Sequence, residues 1–330
     1  MLLIADGNNL AWAGFHALRK PMGAETPELK VRAALLGLTQ SVLGLAVRAG
    51  EPPQDGGAPP PPMFRTQVGG VAVVFDEGRP LRRRAIFPGY QLGREGTESF
   101  TENEPFVLEG IRLFSAAARK LPMEVIRGVN TEADDLIASL TLNAEGPVRI
   151  ASSDRDFLQL VDERVSIYSP QKRLVITDRN FAEATAPSGS DGRAVPFPRE
   201  RYLDYRAASG DASDDLPGIP GVGTLTAARL LAHGPMETFF EAPRLASQVI
   251  GRQNAKLEAV LTSGEARTVF ERNRALMDLR AGAAHFPSLQ DMTQEGEWDE
   301  AGFRDWCKEQ RIAGLDVNGA SQAMDGVARA

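Results

Sequence analysis

Aspartate and glutamate recur in this chain where apolar runs stop. LLIAD ends at Asp6, VAVVFD ends at Asp76, and VRIASSDRD carries Asp154 and Asp156. TEADD, which reads as a helix start, holds Glu132, Asp134 and Asp135. The turn-rich GDASDD holds Asp211, Asp214 and Asp215. Carboxylates gathered in one place repel one another, so a pocket built from these five segments requires divalent cations. Mg²⁺ takes octahedral oxygen ligands and keeps several waters, so a few carboxylates per ion suffice. Two such ions ~4 Å apart can activate a water and stabilise the leaving oxygen of an in-line phosphoryl displacement. The expected chemistry is metal-dependent hydrolysis at phosphate.

Each segment also has a plainer reading. Thr131-x-x-Asp134 forms a capping box, Asp154 and Asp156 suit a turn, and Asp211 with Asp214 suits an Asx-turn. A strand-end aspartate in three places, with paired acids in three segments, exceeds what capping requires. The joint pattern favours metal binding.

Bulk properties narrow the field. The 330 residues suffice for one large α/β core and a smaller module. A hydrophobic share of 42% and a charged share of 25% are ordinary for a globular protein. No apolar run reads as long enough to span a bilayer, and LLIAD follows Met1 without a basic leader. The lone Cys307 excludes a disulfide framework. A cytoplasmic protein with no membrane partner is expected. His16, His233 and His285 are too few and too scattered for a zinc site. The net charge of −7 does not suit a simple nonspecific nucleic-acid binder. Bound cations would offset part of it, and basic residues cluster locally. Arg82, Arg83 and Arg84 form one run just after the strand-end Asp76.

Strands are predicted over 2–6, 71–76, 124–128, 147–152, 165–169 and 174–177. Most are continuously apolar, as buried parallel strands are. Thr26-Pro27 reads as an N-cap followed by proline at the first helical position, opening a helix to about Arg48. Its leucines and valines cover most of its circumference, so it should be buried. Pro105 is expected to open another helix, with Val107, Ile111, Phe114 and Ala118 on one face. Alternating elements argue for a doubly wound, mostly parallel α/β sheet. Ligands of such sheets bind outside the carboxyl ends of the strands, where Asp6, Asp76 and Asp154 fall.

Residues 51–70 read as a Pro-rich loop, and the polar stretch 88–104 suits a segment gating the site. Residues 198–285 read as a helical module. WDEAGFRDWCKEQRIAGL reads as an amphipathic helix packed back on the sheet domain, followed by a frayed tail. Within the module, GIPGVG (218–223) precedes a helix beginning at Thr224. Glycines there admit a ligand close to the backbone, and the amides of a helix start suit a DNA phosphate. The turn carbonyls suit a monovalent cation. Such an element positions DNA without reading bases.

IADGNNLAWAGFHAL, VVFDEGRPLRRRAIFPGY, GVNTEADDLIASL, IASSDRDFLQLV and ASGDASDDLPGIPGVGTLTAARLL resemble, in order, the motifs of the 5′-nuclease (flap endonuclease) family. The resemblance runs from residue 1 to about 235 and continues weakly through RNRALMDLR. It implies a PIN-like domain over 1–197 with a helical arch at 88–122, a helix–three-turn–helix module over 198–285, and a packing helix within 286–330. It implies a stand-alone, monomeric enzyme cutting DNA at 5′ ends, nicks or 5′ flaps with two Mg²⁺ or Mn²⁺ ions, and K⁺ at the 218–223 turn. Asp6, Asp76, Glu132 and Asp134 correspond to one metal cluster, with Asp135 behind them. Asp154, Asp156, Asp211 and Asp214 correspond to the other.

By the same resemblance Trp12 stacks on a base, and Gly218, Gly221, Val222, Gly223 and Thr224 contact DNA together with Arg82 and Arg83. Tyr90 stands at the arch base. The family has an arginine where this chain has Ala13, and a lysine where it has Gln91. Arg84, Arg83 or Arg94 is expected to supply the missing positive charge. The departures also motivate two other readings: a branched-DNA binder with little or no catalysis, and activity on RNA–DNA hybrids.

Overall fold

Strand β1 (Leu2–Asp6) lies at the centre of a seven-stranded sheet, with β2 (Gly70–Glu77) on one side and β4 (Val148–Ala151) on the other. Beyond them stand β3 (Glu124–Val129) and β5 (Val165–Ser169), and these five strands run parallel. Both edges are antiparallel: β6 (Leu174–Ile176) pairs with β5, and Thr293–Glu295 pairs with β3. The computed structural model describes residues 1–48, 68–95, 98–251 and 253–330. Most of the expected Pro-rich loop therefore lies outside the described residues.

The central strands are apolar throughout because both faces are covered. Ile4, Val74 and Ile150 point into one core, while Leu3, Ala5, Val73 and Phe75 point into the other. Helices α1 (Gly7–Arg19) and α2 (Pro27–Arg48) cover the second face with the helix Glu98–Ala118. Gly14 and Gly37 let α1 and α2 touch by backbone. A Cβ on Gly14 would stand 2.6 Å from the Gly37 main chain. By length and hydropathy, 1.3 over Pro27–Val47, α2 could cross a membrane, which corrects the expectation that no run is long enough. Leu38, Val42 and Leu43 are fully buried in the second core, so α2 is a core helix.

The first core is continuous with the helical region after residue 198. Phe157 and Leu136 under the sheet join the same cluster as Leu230, Leu231, Phe239 and Phe270. That region contains helices Tyr202–Ser209, Thr224–His233, Ala255–Thr262, Gly264–Met277 and Leu279–Ala283, with shorter ones between them.

Two further expectations differ from the structure. Pro105 lies inside the helix Glu98–Ala118 rather than opening it. The tail expected to fray forms a helix, Val317–Ala328, capped by Asp316 and packed on α2 through Ala320, Met324 and Val327. Its apolar positions recur at helical spacing, which offsets the cost of ordering a chain end.

Candidate metal centre and nucleic-acid interface

The strand order reverses around β1, and a cleft of about 940 Å³ opens at the carboxyl ends of the parallel strands. Asp6, Asp76, Glu132, Asp134, Asp154 and Asp214 line it together. Residues from five parts of the chain thus meet at one site. Asp6 ends β1 and caps α1, accepting from the Asn9 amide at 3.1 Å and from Ser152 Oγ at 2.7 Å. Asp76, at the end of β2, accepts from Asn8 Nδ2 at 2.7 Å and from the Ala133 amide at 3.2 Å. The helix Ala133–Asn143 is therefore capped by a neighbouring strand, and no side chain of its own N-cap, Glu132, bonds there.

These acids sense one another. Burial, then the charges of Asp154 and Asp6, push the Asp134 carboxyl well above the usual carboxylate range despite the opposing pull of Arg83. Burial and the neighbouring Asp156, Asp214 and Asp6 push Asp154 up to about 7. Hard oxygen donors whose charges oppose one another suit a divalent cation, which would relieve the repulsion. The donors stand engaged with neighbouring side chains and amides. Among the described residues, no group of three acids, histidines or cysteines is arranged to hold an ion.

Three of the nine predicted ligands are held elsewhere. Asp135 is buried, paired with Arg82 at 2.9 Å and Arg83 at 3.0 Å, and does not line the cleft. Asp156 and Asp211 are bridged by the buried Arg206, whose Nε stands 2.7 Å from Asp156 and whose Nη2 pairs with Asp211. Burial alone would raise Asp211, but Arg206 and Ser213 hold it below the usual carboxylate range. The turn readings are present as well: Asp154 accepts from the Asp156 amide and Asp211 from the Ser213 amide.

The predicted basic and aromatic groups divide similarly. Arg83 is 3% exposed, so it is not a DNA-surface residue as expected, and it pairs with Glu132 and Asp135. Arg82 is partly exposed beside it. Arg84 donates from Nε to the Tyr90 carbonyl at 3.3 Å and does not line the cleft. Tyr90 is buried and donates its hydroxyl to Glu132 at 3.1 Å. The side chain of Arg94 lies outside the described residues. Gln91 reaches into the acidic site, donating to Glu132 at 3.0 Å and Asp214 at 2.9 Å. Trp12 lines the cleft and stacks on His16, with ring centroids 5.6 Å apart.

In the 218–223 turn, Gly221 holds φ at +79° and, with Gly223 and Thr224, is exposed ahead of the helix Thr224–His233. The Val222 side chain is buried, so only its backbone can face a ligand.

Sequence reasoning missed Asn8, Asn9 and Ser152, which orient Asp6 and Asp76 or the loop after β4. The amides that follow Asp6 directly in ADGNN were the available signal. It also missed Arg206 as the partner of two acids. Arg79 and Arg127 also line the cleft, paired there with Glu104 and Glu77.

A mostly parallel sheet joined to a helical region is a fold this chain shares with solved phage 5′-nucleases. The phage T5 5′-exonuclease, solved with divalent metal ions, superposes with a TM-score of 0.61 at 18% identity, covering 94% of this chain and 98% of that one. A bacteriophage T5 flap endonuclease solved with DNA and metal ions gives 0.60 at 16%, covering 100% of this chain and 99% of that one. The family described as 5′-3′ exonuclease, N-terminal resolvase-like domain, matches residues 1–186, and this chain belongs to it.

Among curated relatives, thermostable DNA polymerase I of Thermus filiformis is 33% identical over 235 residues, 70% of this chain and 23% of that protein. DNA polymerase I of Deinococcus radiodurans is 34% identical over 245 residues, 73% of this chain and 22% of that protein. The chain thus spans roughly a quarter of the length of the relatives it matches.

Proposed function

We propose that this protein is a structure-dependent 5′-3′ exonuclease and 5′-flap endonuclease that hydrolyses DNA phosphodiesters with two divalent cations, Mg²⁺ or Mn²⁺. One observation carries the reading. Six carboxylates from five parts of the chain line one cleft, and two of them are pushed upward by burial and mutual repulsion. The family membership supports it.

Asp6, Asp76, Glu132 and Asp134 would hold one ion, and Asp154 with Asp214 the other. Cations so held supply the positive charge that stabilises the attacking and leaving oxygens of an in-line displacement. Asn8, Ser152 and the Ala133 amide keep Asp76 and Asp6 in place. Trp12 offers a face on which a terminal base stacks, worth ~1–3 kcal/mol. Arg79 and Arg127 face the phosphate backbone across the cleft mouth. The backbone at the exposed Gly221, Gly223 and Thr224 binds the duplex at a phosphate, with a K⁺ ion held by the turn carbonyls. The protein acts as a cytoplasmic monomer on DNA, with RNA–DNA hybrids as the alternative substrate.

The test is a panel of 5′-flap, nicked, single-stranded and hybrid substrates, with Mg²⁺ or with EDTA. Cleavage near the 5′ junction that requires Mg²⁺ is expected. Tight binding to flaps without cleavage under any divalent cation would make the protein a branched-DNA binder instead, the reading that Gln91 in a lysine's position would then support.

A further inference from the structure

Arg83 is a buried charge that links the sheet domain to the helices after residue 198. It sits in the short helix Leu81–Ile86 and is 3% exposed. Nη1 pairs with Glu132 Oε2, Nη2 with Asp135 Oδ1 at 3.0 Å, and Nε donates to the Leu276 carbonyl at 2.9 Å. Its guanidinium also lies 5.9 Å from the centroid of the Tyr90 ring, whose hydroxyl donates to the other Glu132 oxygen. Burial opposes its charge, yet Tyr90, Asp135, Asp134 and Asp156 raise its pKa above the ordinary arginine range.

Leu276 belongs to the last turn of Gly264–Met277, in the helical module rather than the sheet domain. The next helix, Leu279–Ala283, lies directly on Asp135. A Cβ on Gly282 would fall 1.9 Å from Asp135 Oδ1. The same turn is tied to the other side of the site through Gln159, which donates to the Met277 carbonyl at 2.8 Å and accepts from the Leu279 amide at 3.0 Å. Gln159 belongs to the short helix that begins at Asp156.

We propose that Arg83 is a positioning residue that passes the seating of the helical module to Glu132, so that the cation affinity of the cleft depends on how that module is docked. The inference rests on the divalent-cation reading above. Its physical basis is the rigidity of the guanidinium. A planar fork held by Leu276 and Asp135 has one remaining direction in which to present Nη1, and that direction fixes the Glu132 carboxylate. A lysine keeps the charge but cannot hold three partners in a plane. Partners behind metal ligands typically change metal affinity by roughly 10–100-fold when mutated.

The experiment is calorimetric titration of the full chain, stripped with chelator, with Mn²⁺ alone, each variant being checked by thermal melting. Arg83→Lys should weaken Mn²⁺ binding by roughly tenfold or more while preserving local charge. Gly282→Ala, which pushes on Asp135 from the module side and removes no charge, should weaken it in the same direction. Arg274→Gln cuts the 2.8 Å ion pair of the same helix to Asp204 without touching Arg83, and should keep wild-type affinity. If Arg83→Lys does not fold, Gly282→Ala decides. Wild-type Mn²⁺ uptake with unchanged affinity in the folded variants overturns this inference alone. Wild-type protein that takes up no Mn²⁺ overturns the cation reading, and this inference with it.

Discussion

Gln91 is bonded twice to Asp214: its side-chain amide donates to Oδ1 at 2.9 Å, and its backbone amide donates to the Asp214 carbonyl at 3.1 Å. The same side chain donates to Glu132. A neutral amide therefore bridges carboxylates from two distant segments of the chain. Gln91 holds φ at +57°, a left-handed conformation uncommon outside glycine, and these contacts hold it there.

Gln91→Lys places an ammonium between Glu132 and Asp214, at the position where the cleft can best use one more positive charge against a reacting phosphate. Single-turnover cleavage of a flap substrate should rise roughly tenfold. An unchanged rate would mean that another cation, such as Arg79, already serves the phosphate.

Asp134→Ala and Asp154→Ala should each reduce Mg²⁺-dependent cleavage to background. Neither side chain is part of the 218–224 turn, so flap affinity in a gel-shift assay should stay near that of the wild type. Cleavage at the wild-type rate in either variant would remove that carboxylate from the proposed ion cage.

The upward shift of Asp154 has a stability consequence of definite sign. Its pKa in the folded protein is about 7, above the ordinary 3.8. Folding therefore favours the protonated acid. That contribution is fully present below pH 3.8 and is lost as pH rises through about 7. Asparagine stays neutral throughout. In EDTA, Asp154→Asn should melt several degrees above the wild type at pH 8, and the gap should close as pH falls towards 4. Equal melting temperatures at pH 8 would contradict the burial and repulsion assigned to this carboxyl.

Gly221 has open space around the position of a Cβ, so Gly221→Val strains only the backbone, where φ is +79°. Such strain costs on the order of 1–3 kcal/mol and falls on the exposed turn. Duplex affinity should drop severalfold in a fluorescence-anisotropy titration while Mn²⁺ uptake stays unchanged. Equal affinity would take this turn off the DNA surface.

The sheet was legible in the sequence because its strands are buried on both faces and read as unbroken apolar runs ending in Asp6 and Asp76. Helix α2 was legible from Thr26-Pro27. Thr293–Glu295 was not, because three polar residues at a sheet edge carry no apolar alternation. The acids were legible as a set but not as individuals. Asp135 looks like its neighbour Asp134, and what distinguishes them is Arg82 and Arg83, more than fifty residues earlier in the chain. Asp156 and Asp211 likewise depend on Arg206, whose side chain reaches both only once the helix Tyr202–Ser209 is docked.

The antiparallel edge strand Thr293–Glu295 bears on how the chain can be shortened. It covers the outer rim of β3. A fragment ending with the family-matched portion at residue 186 would leave that rim as a bare row of amides and carbonyls beside Val125 and Ile126. Such a rim is a template for another copy's strand, so the trimmed fragment would tend to self-associate in solution.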